Sequence, residues 1–88
     1  EFKINSDFYV EPNPAHDKVS LHAGSLGFRK GETVELSGLD GKLLYHEVVP
    51  SDLSVVEIDI TKLNIAKGLY FLKWQHERGV SIKKLLID

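Results

Sequence analysis

Apolar and polar positions alternate along most of this chain with a period of two, as in strands that turn one face to a core and the other to water. In Lys18-Val19-Ser20-Leu21-His22-Ala23, one side carries Val19, Leu21 and Ala23, and the other Lys18, Ser20 and His22. Thr33-Val34-Glu35-Leu36-Ser37 repeats the pattern, and Val56, Ile58 and Ile60 alternate with Glu57 and Asp59. The most strongly patterned strand is Gly68-Leu69-Tyr70-Phe71-Leu72-Lys73-Trp74. Tyr70, Leu72 and Trp74 share one face; Leu69, Phe71 and Lys73 share the other. Both faces are largely apolar as far as Phe71, which predicts a central strand covered fully on one side and partly on the other. Phe8-Tyr9-Val10, residues 42–49 and residues 80–87 bring the set to about seven short strands.

The punctuation between them fits that count. Pro12 and Pro14 fix φ twice and remove two backbone donors, so the first strand must stop or bend at Glu11-Pro12-Asn13-Pro14. Residues 24–31 read as a loop broken by Gly24, Gly27 and Gly31, with Leu26 and Phe28 plugging one end of the core. Asp40-Gly41 predicts a two-residue hairpin of type I′, and residues 61–67 a connection with one helical turn that tucks Leu63 and Ile65 under the sheet. In residues 80–87 strict alternation would bury a lysine with Val80, Ile82 and Leu86. A β-bulge at Lys83-Lys84 is therefore expected, turning Val80, Ile82, Leu85 and Ile87 inward and leaving both ammonium groups in solvent. Lysines and a bulge there would also protect an edge strand from aggregation. The predicted fold is an all-β sandwich without the Cys–Trp–Cys hallmark of antibody domains.

Composition narrows the functional classes. With 88 residues the chain is one domain, of modest expected stability, about 5 kcal/mol. Its 11 basic and 13 acidic residues are well mixed at a net charge of −2, so no basic stripe for nucleic acid exists. No apolar run reaches the length of a membrane span, and the absence of Cys excludes disulfides and thiolate metal sites. The chain opens abruptly on Glu1-Phe2. It is read as a piece of a longer protein, with residues 1–7 a linker or vector-derived and residues 8–88 the domain.

No catalytic constellation emerges. His16, His22, His46 and His76 lie in separate turns or strands without a ligand partner at close spacing. Asp52, Glu57 and Asp59 read as solvated positions, no serine sits in a nucleophile elbow, and the glycines of the loop precede no helix. The residues describe a small β domain without a catalytic constellation, and no enzymatic activity, cofactor, metal or small-molecule substrate is expected of it.

Four stretches, in order, say more. Phe8-Tyr9-Val10-Glu11-Pro12-Asn13-Pro14-Ala15-His16-Asp17 resembles the opening motif of the type A C-terminal sorting domain of the type IX secretion system of Bacteroidetes. Leu39-Asp40-Gly41-Lys42-Leu43-Leu44 is similar to the family's mid-domain hairpin. Ile60-Thr61-Lys62-Leu63 through Ala66-Lys67-Gly68-Leu69-Tyr70-Phe71-Leu72-Lys73 is similar to its Gly-x-Tyr strand with the preceding short turn, and Lys83-Lys84-Leu85-Leu86-Ile87-Asp88 to its terminal Lys-rich strand. The likeness runs from Phe8 to Asp88. It departs at Glu11, where an aromatic or aliphatic residue is common, and at Gly38, where Asp is frequent.

The resemblance implies an immunoglobulin-like sandwich that works as an address. A cargo in transit through the periplasm would be recognised by the outer-membrane translocon and its shuttle proteins. After export to the outer membrane surface or the medium, a surface sortase would usually remove the domain, which acts as a monomer. The sorting-motif residues carried over are Pro12, Asn13, Pro14, Ala15, Asp17, Asp40, Gly41, Lys42, Gly68, Tyr70, Lys83, Lys84, Leu85, Leu86 and Ile87. Each also has a purely architectural reading: a rigid turn at Pro12-Asn13-Pro14, a positive φ at Gly41, a loop exit at Gly68. The rival classes are a carbohydrate-binding or adhesive module, for which Tyr9, Tyr45 and Trp74 would form an exposed stacking platform, and a structural spacer within a surface protein.

Overall fold

The computed structural model describes residues 8–25 and 27–88, which form two antiparallel sheets packed face to face. The strands are β1 (Phe8–Glu11), β2 (Lys18–Ala23), β3 (Thr33–Gly38), β4 (Leu43–Val48), β5 (Val55–Asp59), β6 (Gly68–His76) and β7 (Gly79–Ile87). The smaller sheet has the order β1-β2-β5 and the larger the order β4-β3-β6-β7. This is the all-β sandwich that the alternation predicted, in the immunoglobulin-like form that the resemblance implied. Leu26 and residues 1–7 lie outside the described residues, and with them the readings placed there.

Period-two alternation delivers the core. Val19 and Leu21 enter from β2, Val34 and Leu36 from β3, Val56 and Ile58 from β5, Leu72 and Trp74 from β6, and Leu85 and Ile87 from β7. Strand β6 is central, paired to β3 on one side and β7 on the other. Trp74, 1% exposed, packs against Phe8 and Phe28 with ring centroids 5.8 and 4.7 Å away. A buried indole N–H needs an acceptor, and Glu32 Oε1 supplies it at 2.8 Å while also accepting from the Arg29 backbone N–H. Phe28 plugs the core from its loop, held by reciprocal backbone hydrogen bonds with Leu53. The predicted helical turn is a 3₁₀ turn, Ile60–Lys62, and Leu63 and Ile65 pack against the core just after it.

Two local expectations are corrected. The register between β6 and β7 runs unbroken from Gly68–Ile87 to His76–Gly79, so β7 has no bulge at Lys83-Lys84. Strict alternation holds, but the side with Val80, Ile82, Lys84 and Leu86 is the outer one. Ser81 is 2% exposed and Ile82 is 52% exposed. The cause is cross-strand volume: position 81 lies directly opposite Trp74, and a small side chain fits there. His76 Nε2, 3.0 Å from the Ser81 hydroxyl, supplies the hydrogen bond that a buried polar group needs. Lys83 consequently sits half-buried on the inner side while Lys84 is exposed.

The β3–β4 connection is also not a two-residue type I′ turn. Gly41 N–H donates to Gly38 O at 3.0 Å and Gly38 N–H donates to Lys42 O at 2.9 Å, closing a four-residue turn over residues 38–41. Gly41 has φ +86°, and Asp40 is not among the positive-φ residues. The Asp40 carboxylate instead accepts from Lys42 N–H at 3.0 Å, a local contact that stabilises this longer turn. The added length is absorbed as a register shift: Leu36 pairs with Tyr45 but Ser37 with Leu43, leaving Leu44 as the extra residue.

Candidate functional site

At Glu11 the first strand leaves the smaller sheet, and the segment after it crosses to the free edge of β7. Both X-Pro bonds of Glu11-Pro12-Asn13-Pro14 are cis. Asn13 reaches across with its side-chain amide: Nδ2 donates to Lys84 O at 3.1 Å and Oδ1 accepts from Leu86 N–H at 2.9 Å. Ala15 continues with its backbone, donating to Leu86 O at 2.8 Å and accepting from Asp88 N–H at 2.9 Å, as one parallel bridge. Ala15 is fully buried, where a larger side chain would press into the sandwich. The first and last motifs, more than 70 residues apart, thus form one structure.

The middle motifs join them at the same end of the larger sheet. Gly68 lies opposite Ile87 and Tyr70 opposite Leu85 on β7, while Gly38, at the root of the β3–β4 turn, lies opposite Tyr70. Tyr70 donates its hydroxyl to the Ala66 carbonyl four residues upstream, tying down the β5–β6 connection. That is the geometry of a tyrosine corner, a role that neither the strand pattern nor the motif had assigned to Tyr70. Asp17 takes part through its backbone: its carbonyl accepts from Ile60 N–H at 2.8 Å at the start of the 3₁₀ turn. Asp59 caps that turn by accepting from Thr61 N–H, and the hydrogen bond from the Thr61 hydroxyl holds its carboxyl below the usual range.

Within this end the motif residues divide by direction. Leu85 and Ile87 are in the core, and Tyr70 is partly buried against it. Lys84 and Leu86 point outward beside Phe71 and Leu69, their partners in register. Lys83 and Lys84, read from sequence as one basic pair, face opposite sides. No local signal could have revealed the Asn13 clasp, since its partners lie at the far end of the chain. The departures from the family pattern have local accommodations. Glu11 lies 2.8 Å from His22 Nε2 on the exposed side of β1. A Cβ at Gly38 would come within 2.9 Å of Asp40 Oδ1.

The aromatic platform required for a carbohydrate module does not form. Trp74 is buried. Tyr9, on the smaller sheet, stacks on His22 at 4.6 Å. Tyr45 is on the larger sheet, donating its hydroxyl to Glu47 at 2.7 Å. Burial, that hydrogen bond and the Glu47 charge push the Tyr45 hydroxyl up to about 12. Among the described residues no three His, Asp or Glu gather as metal ligands, and no helix is long and apolar enough to cross a membrane.

The sequence matches the family model of the secretion system C-terminal sorting domain over residues 9–88. No curated protein matches it. Among solved structures it is similar to PorZ, described as an essential bacterial surface component of the type-IX secretion system of the human oral-microbiomic Porphyromonas gingivalis. The TM-score is 0.72 at 21% identity, over 92% of this chain and 11% of that one, so this likeness speaks for the fold. The family match spans all four motifs that converge on one end of the larger sheet, and the chain belongs to the C-terminal sorting domains of the type IX secretion system.

Proposed function

We propose that this domain is a folded address label, recognised by the type IX outer-membrane translocon and its shuttle proteins and removed by a surface sortase once its cargo has crossed. The family membership carries export to the cell surface or secretion; transit through the periplasm, the named partners and action as a single copy are our reading of how that export proceeds. The observation that supports it is the convergence of the four motifs on one end of one sheet. Residues that had only to specify a sandwich could be spread over it. Here Asn13, Ala15, Asp40, Gly41, Gly68, Tyr70 and residues 84–87 meet in a single region. The domain does no chemistry of its own. The cut that separates it from cargo falls ahead of Phe8, at or before residues 3–7, because Phe8 is 2% exposed and already paired to Ala23 in the smaller sheet.

The test is a neutral reporter bearing a Sec signal at its N-terminus and this chain at its C-terminus. In a host with the type IX machinery the reporter should reach the surface or medium; in the same host lacking the translocon it should remain in the periplasm. Equal export in both hosts would refute the reading.

A further inference from the structure

The β7 backbone facing away from β6 over residues 84–88 is held by the chain's own Asn13 and Ala15. A partner therefore cannot read that stretch by adding a strand alongside it, the mode an open edge would invite. Leu85 and Ile87 are inside the core. What the terminal motif offers from this sheet is Lys84 and Leu86, on the outer face. The register shows what surrounds them: Leu43 lies opposite Ser37, Ser37 opposite Phe71 and Phe71 opposite Lys84, while Leu69 lies opposite Leu86. Leu43, Leu69 and Leu86 are exposed, and Phe71 is half-buried between them. An apolar band thus crosses the outer face at the end where the motifs meet, and bands of this kind mark interaction sites.

The charge on that face is one-sided. Lys73 and Glu35 face each other across β6 and β3 with 3.8 Å between Nζ and Oε1, and they offset one another. Lys84 has no ion-pair partner among the described residues. A lipid surface would call for a cluster of roughly four to eight cations. A second copy would bring the same unmatched cation to the contact. A single ammonium beside apolar side chains fits one carboxylate on an apolar protein segment.

We propose that this outer face, built around Leu69, Phe71, Lys84 and Leu86, is where the export machinery docks, and that its occupant is a protein segment laying apolar side chains across the band with a carboxylate against Lys84. The inference rests on the sorting reading and deepens it. It divides the motifs by role: Lys84 and Leu86 make contact, while Asn13, Ala15, Tyr70, Leu85 and Ile87 shape and hold the surface.

The reporter fusion tests this with Leu86→Ser combined with Leu69→Ser, Lys84→Glu, Lys84→Arg and, as a control, Val55→Ser, an exposed apolar position on the smaller sheet. Melting temperatures of the purified domains are read in parallel. The double serine variant and Lys84→Glu should each cut export about tenfold or more. Lys84→Arg and Val55→Ser should export like the parent. Should the serines lower the melting temperature, Lys84→Glu at an exposed position still decides. Parent-like export of Lys84→Glu and of a folded double variant, with the parent still dependent on the translocon, overturns the docking face and leaves the sorting reading standing. Parent export that ignores the translocon overturns the sorting reading itself. Two further results would reassign the face and overturn the proposal: flotation of the domain on anionic phospholipid vesicles, or a dimer in sedimentation, either one lost in the double variant while export persists.

Discussion

Asn13→Ala removes a clasp rather than a core residue, and its cost can be worked from the geometry. Two hydrogen bonds are lost, Nδ2 to Lys84 O at 3.1 Å and Leu86 N–H to Oδ1 at 2.9 Å. Each is worth about 1 kcal/mol net, and both lie at an exposed edge where water can replace part of the loss. The expected destabilisation is therefore about 1–2 kcal/mol, a large share of the ~5 kcal/mol available to a domain this small. For a chain of 88 residues that lowers the melting temperature by about 5–15 °C. Circular dichroism melts give the global figure, and amide hydrogen exchange gives the local one. The Leu86 amide, which faces Asn13, should exchange about tenfold faster or more, since 1.4 kcal/mol is a factor of ten. Amides of Leu85 and Ile87, on the β6 side of the same strand, should follow only the global change. Asn13→Asp should cost at least as much at neutral pH, because it keeps the acceptor for Leu86 N–H but sets a carboxylate oxygen against the Lys84 carbonyl. An Asn13→Ala domain with the parental melting temperature and an equally protected Leu86 amide would refute the clasp.

Other outcomes follow from the same structure. Gly41→Ala should lose about 1–2 kcal/mol because its φ of +86° disfavours a Cβ although space is open there, and Gly41→Asn should recover part of that loss; chemical denaturation of the three proteins decides. Tyr45 should ionise well above the ordinary tyrosine value in an alkaline absorbance titration read as the difference from Tyr45→Phe, its folded pKa being raised to about 12 from 10.0. Its folded value lies above its unfolded one, so the associated stability is complete below pH 10 and is lost as pH rises through 12. Tyr45→Phe should remove that alkaline loss, and an unchanged pH profile would assign it elsewhere.

The sequence by itself determined the strand content, the identity of β6 as the central strand and the core positions of β2, β3, β5 and β6. Each of those follows from period-two alternation, which depends only on the chain's own order of apolar and polar residues. It also determined the family, through motifs that are contiguous in the chain. The tertiary structure decided which side of a strand faces in where both sides are apolar. In β7, Val80 and Ile82 outrank Ser81 in hydrophobicity, yet Ser81 is inside because its cross-strand neighbour is Trp74. The β3–β4 turn was decided by a register shift at Leu36/Ser37, which no dipeptide preference encodes. The joining of Asn13 to Lys84 and Leu86 was decided the same way. It pairs residues more than 70 apart through a side chain standing in for a strand backbone, and alternation records which face a residue takes but never which distant edge it meets.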